Sequence, residues 1–217
     1  MRNKQVIILV HGFNKNQSDM FTLKMHLIKL GYHCLTVNLP TRFGSLNDCT
    51  SVMKTQLEKL LSGVGYQKIH FVGHSMGGLI IRNYLANNSL PGLGRCVFIS
   101  CPSKGSSLAD KFCKLFPFIT KILKSLNDLR VNALEIPNPK NTTNLEIGVI
   151  AGNKSNLLLG VFLKKENDGR VEVDSTKIET MTDFIIKPYG HKEIHYQPDT
   201  ASLVDDFLLT GKFNSMR

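Results

Sequence analysis

The sequence predicts an α/β protein, with a mostly parallel sheet sandwiched between helices in three layers. Three observations carry that expectation. Short apolar, β-branched runs recur along the chain, amphipathic segments stand between them, and Gly or Pro punctuates many of the junctions. Strands separated by helices cannot be joined by tight hairpins, so they run parallel, and a parallel sheet has to be covered on both faces. Ligands in such sheets lie beyond the carboxyl ends of the strands. The loops at 11–17, 74–76, 101–106, 168–170 and 188–195 are therefore expected to share one rim.

Residues 5–10 form a continuous apolar run ending at Gly12, as a buried strand does. Ser18 or Asp19 is placed to cap a helix whose apolar positions Met20, Leu23, Leu27 and Leu30 recur at helical spacing, with Gly31 as its stop. Tyr32 to Leu39 is strand-like and ends at Pro40. Residues 46–62 read as a second helix, with Leu46, Val52, Met53, Leu57, Leu60 and Leu61 on its buried side. Residues 69–73 form a third strand and 76–87 a third helix. Strands follow at 95–100, 145–151 and 183–187, and a last helix covers about 200–210.

Residues 103–140 break this alternation. Leu108, Phe112, Leu115 and Phe116 lie on one helical side, Pro117 interrupts, and Ile119, Ile122, Leu123 and Leu126 resume the pattern. Two short amphipathic helices followed by Pro137, Asn138, Pro139 and Asn141 point to a helical lid inserted into a single domain spanning 1–217. Its apolar face is expected to complete the core and form a pocket. Its lysines (Lys111, Lys114, Lys121, Lys124) make an anionic membrane surface a candidate partner.

The 217 residues, 42% of them hydrophobic, suffice for one substantial core. No stretch approaches the roughly 20 apolar residues that span a bilayer. The run at 6–10 is too short for a signal-peptide core, so a soluble, cytoplasmic chain is expected. Five cysteines without paired spacing read as buried free thiols, and no Cys/His group has zinc-ligand spacing. Neither metal nor organic cofactor is expected. The net charge of +10 is spread along the chain without aromatic interleaving or a recognition motif, which argues against nucleic acid as a partner.

The chemistry concentrates at Gly73-His74-Ser75-Met76-Gly77, a G-x-S-x-G between an apolar strand and an amphipathic helix. That is the strand-turn-helix setting of a nucleophile elbow, in which small neighbours let strand and helix approach closely and leave the serine hydroxyl exposed. A serine needs a base, and the base an orienting acid. The chain order Ser, acid, His leaves His191 and His195 as bases, and His191 is favoured because it follows the turn 188–190 at the rim. Asp168, in Asn167-Asp168-Gly169, is one candidate acid beside Glu172, Asp174 and Asp183. The oxyanion donors are expected to be the N–H groups of Met76, after the nucleophile, and of Phe13, after the first strand.

With these residues in place, the chain resembles the α/β-hydrolase superfamily, and within it small lipase-like serine hydrolases of the triacylglycerol-lipase and PGAP1-like groups. The resemblance runs through Val-His-Gly-Phe (10–13), Gly-His-Ser-Met-Gly-Gly (73–78), the segment 102–110, Asn-Asp-Gly-Arg-Val-Glu-Val-Asp-Ser (167–175) and Tyr-Gly-His (189–191). It implies a reduced α/β-hydrolase fold with Ser75 as nucleophile, Asp168 as triad acid and His191 as base. It also implies ester cleavage through an acyl-enzyme. A thioesterase, an amidase or acyltransferase, and a non-catalytic scaffold are the alternatives. Many relatives carry Thr-Pro-His where this chain has Cys101-Pro102-Ser103, so the pocket wall differs there.

Overall fold

The computed structural model describes residues 4–214 apart from 64, 132, 134–135, 137–144, 156–159, 161 and 164. The Pro/Asn stretch expected to close the lid (137–141) lies outside the described residues. Six strands form one sheet: β1 (Gln5–Val10), β2 (His33–Thr36), β3 (Lys68–His74), β4 (Leu93–Ile99), β5 (Ile147–Gly152) and β6 (Asp183–Lys187). Their spatial order is β2-β1-β3-β4-β5-β6, and every neighbouring pair is parallel.

Alternation along the strands divides the core between the two faces. Val6, Ile8 and Val10 of β1 join Phe71, Cys96, Phe98 and Val149 on one side. Ile7 and Leu9 join Val72, Val97, Ile99 and Ile150 on the other. The first side is covered by α2 (Leu46–Leu61) and α3 (Met76–Asn87), through Met53, Leu57, Ile80 and Ile81. The second is covered by α1 (Phe21–Lys29) and α8 (Pro198–Thr210), through Leu23, Leu27, Val204 and Phe207. Val52, which spacing assigned to the buried side of α2, is exposed.

Three local expectations need correction. Neither Ser18 nor Asp19 caps the first helix. The N-cap of α1 is Met20, which makes no side-chain capping bond; Asn16 instead caps the 3₁₀ turn at Gln17–Met20 that leads into α1, accepting the Ser18 N–H at 2.9 Å. Strand β2 stops at Thr36 instead of Leu39, because beyond Val37, whose N–H still reaches the Leu9 carbonyl of β1 at 3.4 Å, the backbone donors are claimed elsewhere. Asn38 N–H donates to Gln56, and Leu39 N–H donates to His11 Nε2 at 3.0 Å. Among its described residues the segment 103–140 holds three helices rather than two: α4 (Ser107–Leu115), α5 (Ile119–Ile122) and α6 (Lys124–Asp128), the last two separated at Leu123.

This segment is docked firmly. Asp128 Oδ2 accepts the Leu46 N–H at the start of α2 (2.6 Å), and the Ser125 hydroxyl donates to the Thr41 carbonyl (2.7 Å). A single turn, α7 (Val173–Thr176), precedes β6. No described helix is long and apolar enough to cross a membrane. After β1 the chain steps to β2 on one side, then returns to place β3 on the other. The C-terminal ends of β1 and β3 therefore flank a topological switch point, where such sheets form their crevice.

Candidate active site

Ser75 stands between β3 and α3 with φ 55° and ψ −127°, a backbone state that side-chain-bearing residues rarely adopt. Its surroundings hold it there. The Ser75 N–H donates to the Ile99 carbonyl at 2.9 Å, and the Ser75 carbonyl accepts the Gly78 N–H at 3.1 Å. The flanking glycines are obligatory for close approach. A Cβ at Gly73 would lie 2.6 Å from the Gly78 nitrogen, and one at Gly77 would lie 2.2 Å from the Val10 carbonyl oxygen.

His191 follows β6, and its Nε2 lies 3.1 Å from Ser75 Oγ. Its Nδ1 lies 2.8 Å from Asp168 Oδ2. Asp168 comes from the loop after β5. Its other oxygen, Oδ1, accepts the N–H groups of Arg170 (3.0 Å) and Val171 (2.8 Å). All three side chains are buried. Burial alone works against an ionised Asp168, but the adjacent His191 and the Val171 N–H more than offset it and hold the carboxyl below its ordinary range. The rival acids are elsewhere: Asp174 is exposed beside Lys177 and Lys165, and Asp183 opens β6, bonded to the Phe184 and Phe213 N–H groups. Glu172 pairs through its backbone in a bridge with Asn167.

The loop after β1 lies directly against Ser75, since a Cβ at Gly12 would meet Ser75 Cβ at 3.0 Å. The Gly12 carbonyl accepts the Thr41 hydroxyl at 3.0 Å. In a trans peptide the N–H opposes the C=O, so this anchor turns the Phe13 N–H the other way. Phe13 N–H has no backbone acceptor among the described residues. Met76 is the first residue of α3, so its N–H has no partner within the helix. These are the two donors expected from the sequence. His11 is a structural tie: burial pushes its pKa down, Nε2 accepts from Leu39, and Nδ1 faces the Gly12 carbonyl at 3.1 Å.

A profile of the α/β-hydrolase fold matches residues 5–138, more than half of the chain. The chain belongs to that family. Solved structures agree on the fold. The mature lipase BlEst2 of Bacillus licheniformis superposes with a TM-score of 0.81 at 22% identity, over 97% of this chain and 93% of that one. Phospholipase PlaB of Legionella pneumophila gives 0.69 at 15% identity, covering 96% of this chain and 57% of PlaB. The metagenomic carboxyl esterase MGS0156 gives 0.67 at 16% identity, over 88% and 65%. No curated protein matches significantly by sequence.

From Ser75 and His191 a cavity of about 270 Å³ opens into this α/β-hydrolase. Its walls are almost wholly apolar: Leu108, Ala109 and Phe112 of α4, with Leu123, Leu126 and Leu129 from the α6 region. Helix α4 and the α6 region therefore line the pocket as well as packing against the core, where Ala109 and Leu129 are buried.

One group in this α/β-hydrolase fold escaped the sequence reading. His195, the second histidine that chain order offered as a base, is 1% exposed, and Ser75 is met by His191 instead. It stacks on His74, with ring centroids 3.8 Å apart, and its Nε2 lies 3.3 Å from Asp19 Oδ2. Asp19 Oδ1 accepts from Lys15 Nζ (2.8 Å) and from the Tyr196 hydroxyl (2.7 Å). Burial opposes ionisation of Asp19, but these neighbours outweigh it and hold the carboxyl far below its ordinary range. No sequence signal links positions 19, 74 and 195, because the three come from separate elements: two 3₁₀ turns and the end of β3.

Proposed function

We propose that this chain is a serine hydrolase that cleaves carboxylic esters carrying an apolar acyl chain. One observation carries the reading: Ser75 Oγ, the His191 ring and Asp168 follow one another at 3.1 and 2.8 Å, at the mouth of an apolar cavity. Asp168 favours the tautomer with hydrogen on His191 Nδ1, which leaves the Nε2 lone pair facing the hydroxyl. Ser75 Oγ attacks the ester carbonyl while Nε2 takes its proton. The oxyanion is stabilised by the Phe13 and Met76 N–H groups. Collapse passes the proton to the departing alcohol and leaves an acyl-enzyme. Water, deprotonated by the same Nε2, then releases the acid and restores Ser75.

Fluorophosphonate labelling read by intact mass, joined to turnover of p-nitrophenyl esters, acyl thioesters and anilides, tests this. The expected result is one adduct on wild type, none on Ser75→Ala, and fastest turnover on esters. Unlabelled, well-folded wild type would point to a binding scaffold, and faster turnover of thioesters or anilides would replace the bond assigned here.

The partner that suits the lid is an anionic lipid surface. Leu115 (71% exposed), Phe118 (63%) and Ile122 (59%) face solvent beside Phe112, which also lines the cavity. Lys111, Lys114 and Lys124 lie within the same short helices. Co-sedimentation with anionic but not zwitterionic vesicles, weakened by salt, is expected; indifference to lipid charge would remove this partner. All five cysteines are free and buried, which supports a reducing compartment.

A further inference from the structure

Asp19, His74 and His195 lie outside the line from Asp168 to Ser75, yet they pack against its back. His74 Nε2 sits 3.0 Å from the carbonyl oxygen of His191, and both groups are buried. We propose that Asp19, His195 and His74 form a positioning array that fixes the backbone of His191 and so holds its imidazole at bonding distance from Ser75. The inference rests on the reading of His191 as the base.

The protons can be placed by elimination. A carbonyl oxygen only accepts, so His74 Nε2 carries a hydrogen and donates it to His191. Burial, with two neighbouring histidines, drives the His74 pKa well down, so the ring is neutral and Nδ1 is bare. That bare nitrogen lies 3.9 Å from Asp19 Oδ2. Two acceptors facing each other in a buried space repel unless a proton stands nearby. His195 Nε2 is the group placed to supply it, at 3.3 Å from the same oxygen. The contact is off-line for a hydrogen bond, since neither atom has a well-formed partner, so it acts as a charge-to-dipole attraction.

The array ties two turns to the end of β3. Asp19 comes from the turn after β1, His74 is the residue before the nucleophile, and His195 follows the base by four residues. Tyr196 adds a second tether from the base-bearing loop to Asp19. The face-to-face stack of His74 and His195, with planes 22° apart, fixes the plane from which His74 donates.

The same donor set (one carboxylate and two imidazoles, with ligating atoms within 4.8 Å of one another) also invites a divalent metal ion. The stack argues against it. An imidazole lone pair lies in the ring plane, so two rings stacked at 3.8 Å with planes only 22° apart converge poorly on one ion. The Lys15 ammonium on Asp19 Oδ1 adds a competing charge.

The test compares wild type, His74→Phe, His74→Gln and Asp19→Asn. Phe keeps the buried ring but removes the donor, whereas the Gln amide nitrogen reaches roughly where Nε2 stood. Rates of fluorophosphonate labelling, kcat and KM for p-nitrophenyl butyrate, melting temperature and bound metal are measured. His74→Phe is expected to lower kcat and the labelling rate about 10- to 100-fold, as small misplacements of a catalytic group do, with KM within about twofold. His74→Gln recovers most of that loss, and Asp19→Asn gives a smaller fall in both rates. Wild-type rates in folded His74→Phe, or equal impairment of Phe and Gln variants, would overturn the array. If His74→Phe does not fold, unchanged rates in Asp19→Asn overturn it. Stoichiometric metal whose removal slows labelling would do so as well. Absence of labelling in wild type defeats the reading of Ser75 and His191 themselves, a result distinct from all of these.

Discussion

Asp168 and His191 are joined twice: His191 Nδ1 meets Asp168 Oδ2 at 2.8 Å, and the His191 backbone N–H donates to the Asp168 carbonyl, also at 2.8 Å. The second bond registers the two loops independently of the carboxylate. Asp168→Asn should therefore preserve the fold while harming the chemistry. The N–H groups of Arg170 and Val171 require an acceptor at Oδ1, so the amide oxygen takes that place and its NH₂ faces His191. A donor facing Nδ1 forces the ring hydrogen onto Nε2, where no lone pair remains for Ser75. The expected loss in kcat is on the order of 10⁴, as for the same change in a serine protease triad. Steady-state kinetics beside a melting curve checks it, and a loss under tenfold would remove Asp168 from the acid role.

The elbow makes a steric prediction. A Cβ at Gly77 would stand 2.2 Å from the Val10 carbonyl oxygen and 2.9 Å from that of His11, both backbone atoms that cannot swing aside. Gly77→Ala should cost about 3 kcal/mol or more in denaturant unfolding and abolish activity by pushing α3 from the sheet. Gly65→Ala, with nothing within 4 Å of its added Cβ, is the control and should stay within about 0.5 kcal/mol of wild type.

These contrasts show which features a sequence can reveal. The elbow was legible because everything it needs is local: an apolar strand, glycines two positions either side of Ser75, and an amphipathic helix. The acid was harder. Asp168, Glu172, Asp174 and Asp183 all follow β5 within a short span, so spacing leaves them open; the resemblance singles out Asp168, and the fold separates that buried carboxylate from the exposed Asp174 and the strand-opening Asp183. The early end of β2 was hidden because Gln56 and His11, far along the chain, take its backbone donors. Asp19 was read as a possible helix cap, since its real partners, His195 and Tyr196, lie more than 170 residues away.

The apolar cavity predicts chain-length selectivity. Each methylene moved from water into it contributes about 0.8 kcal/mol, so kcat/KM should rise roughly fourfold per added carbon until the cavity is full. Ala109 lies buried on its wall. Ala109→Phe should fill the cavity, cutting turnover of long p-nitrophenyl esters while leaving the acetate ester little changed. A uniform fall across the series would mean that Ala109 acts on folding rather than on acyl fit.

Acid stability should depend on buried neutral histidines. His70 is the clearest: its Nδ1 accepts the Arg95 N–H at 2.9 Å and its Nε2 faces Gln5 Oε1 at 3.2 Å. Burial, and then the Arg95 charge, push its pKa down to about 4 from 6.5. The unfolded chain takes up this proton near pH 6.5, whereas the folded chain resists until about pH 4. Between those values the unfolded state binds more protons, so stability falls as the pH drops, by up to about 3 kcal/mol from this residue. His11, His74 and His195, also held low by burial, act in the same direction. Asp19 and Asp168, held low by their partners, extend the loss to more acidic pH. His70→Asn keeps an acceptor for Arg95 N–H but has no group to titrate. Urea unfolding at pH 4.5, 5.5 and 7 should show its stability falling less steeply than that of wild type, by about 1.4 kcal/mol for each pH unit in the window. Parallel slopes in the two proteins would show that His70 is protonated alike in the folded and unfolded chains.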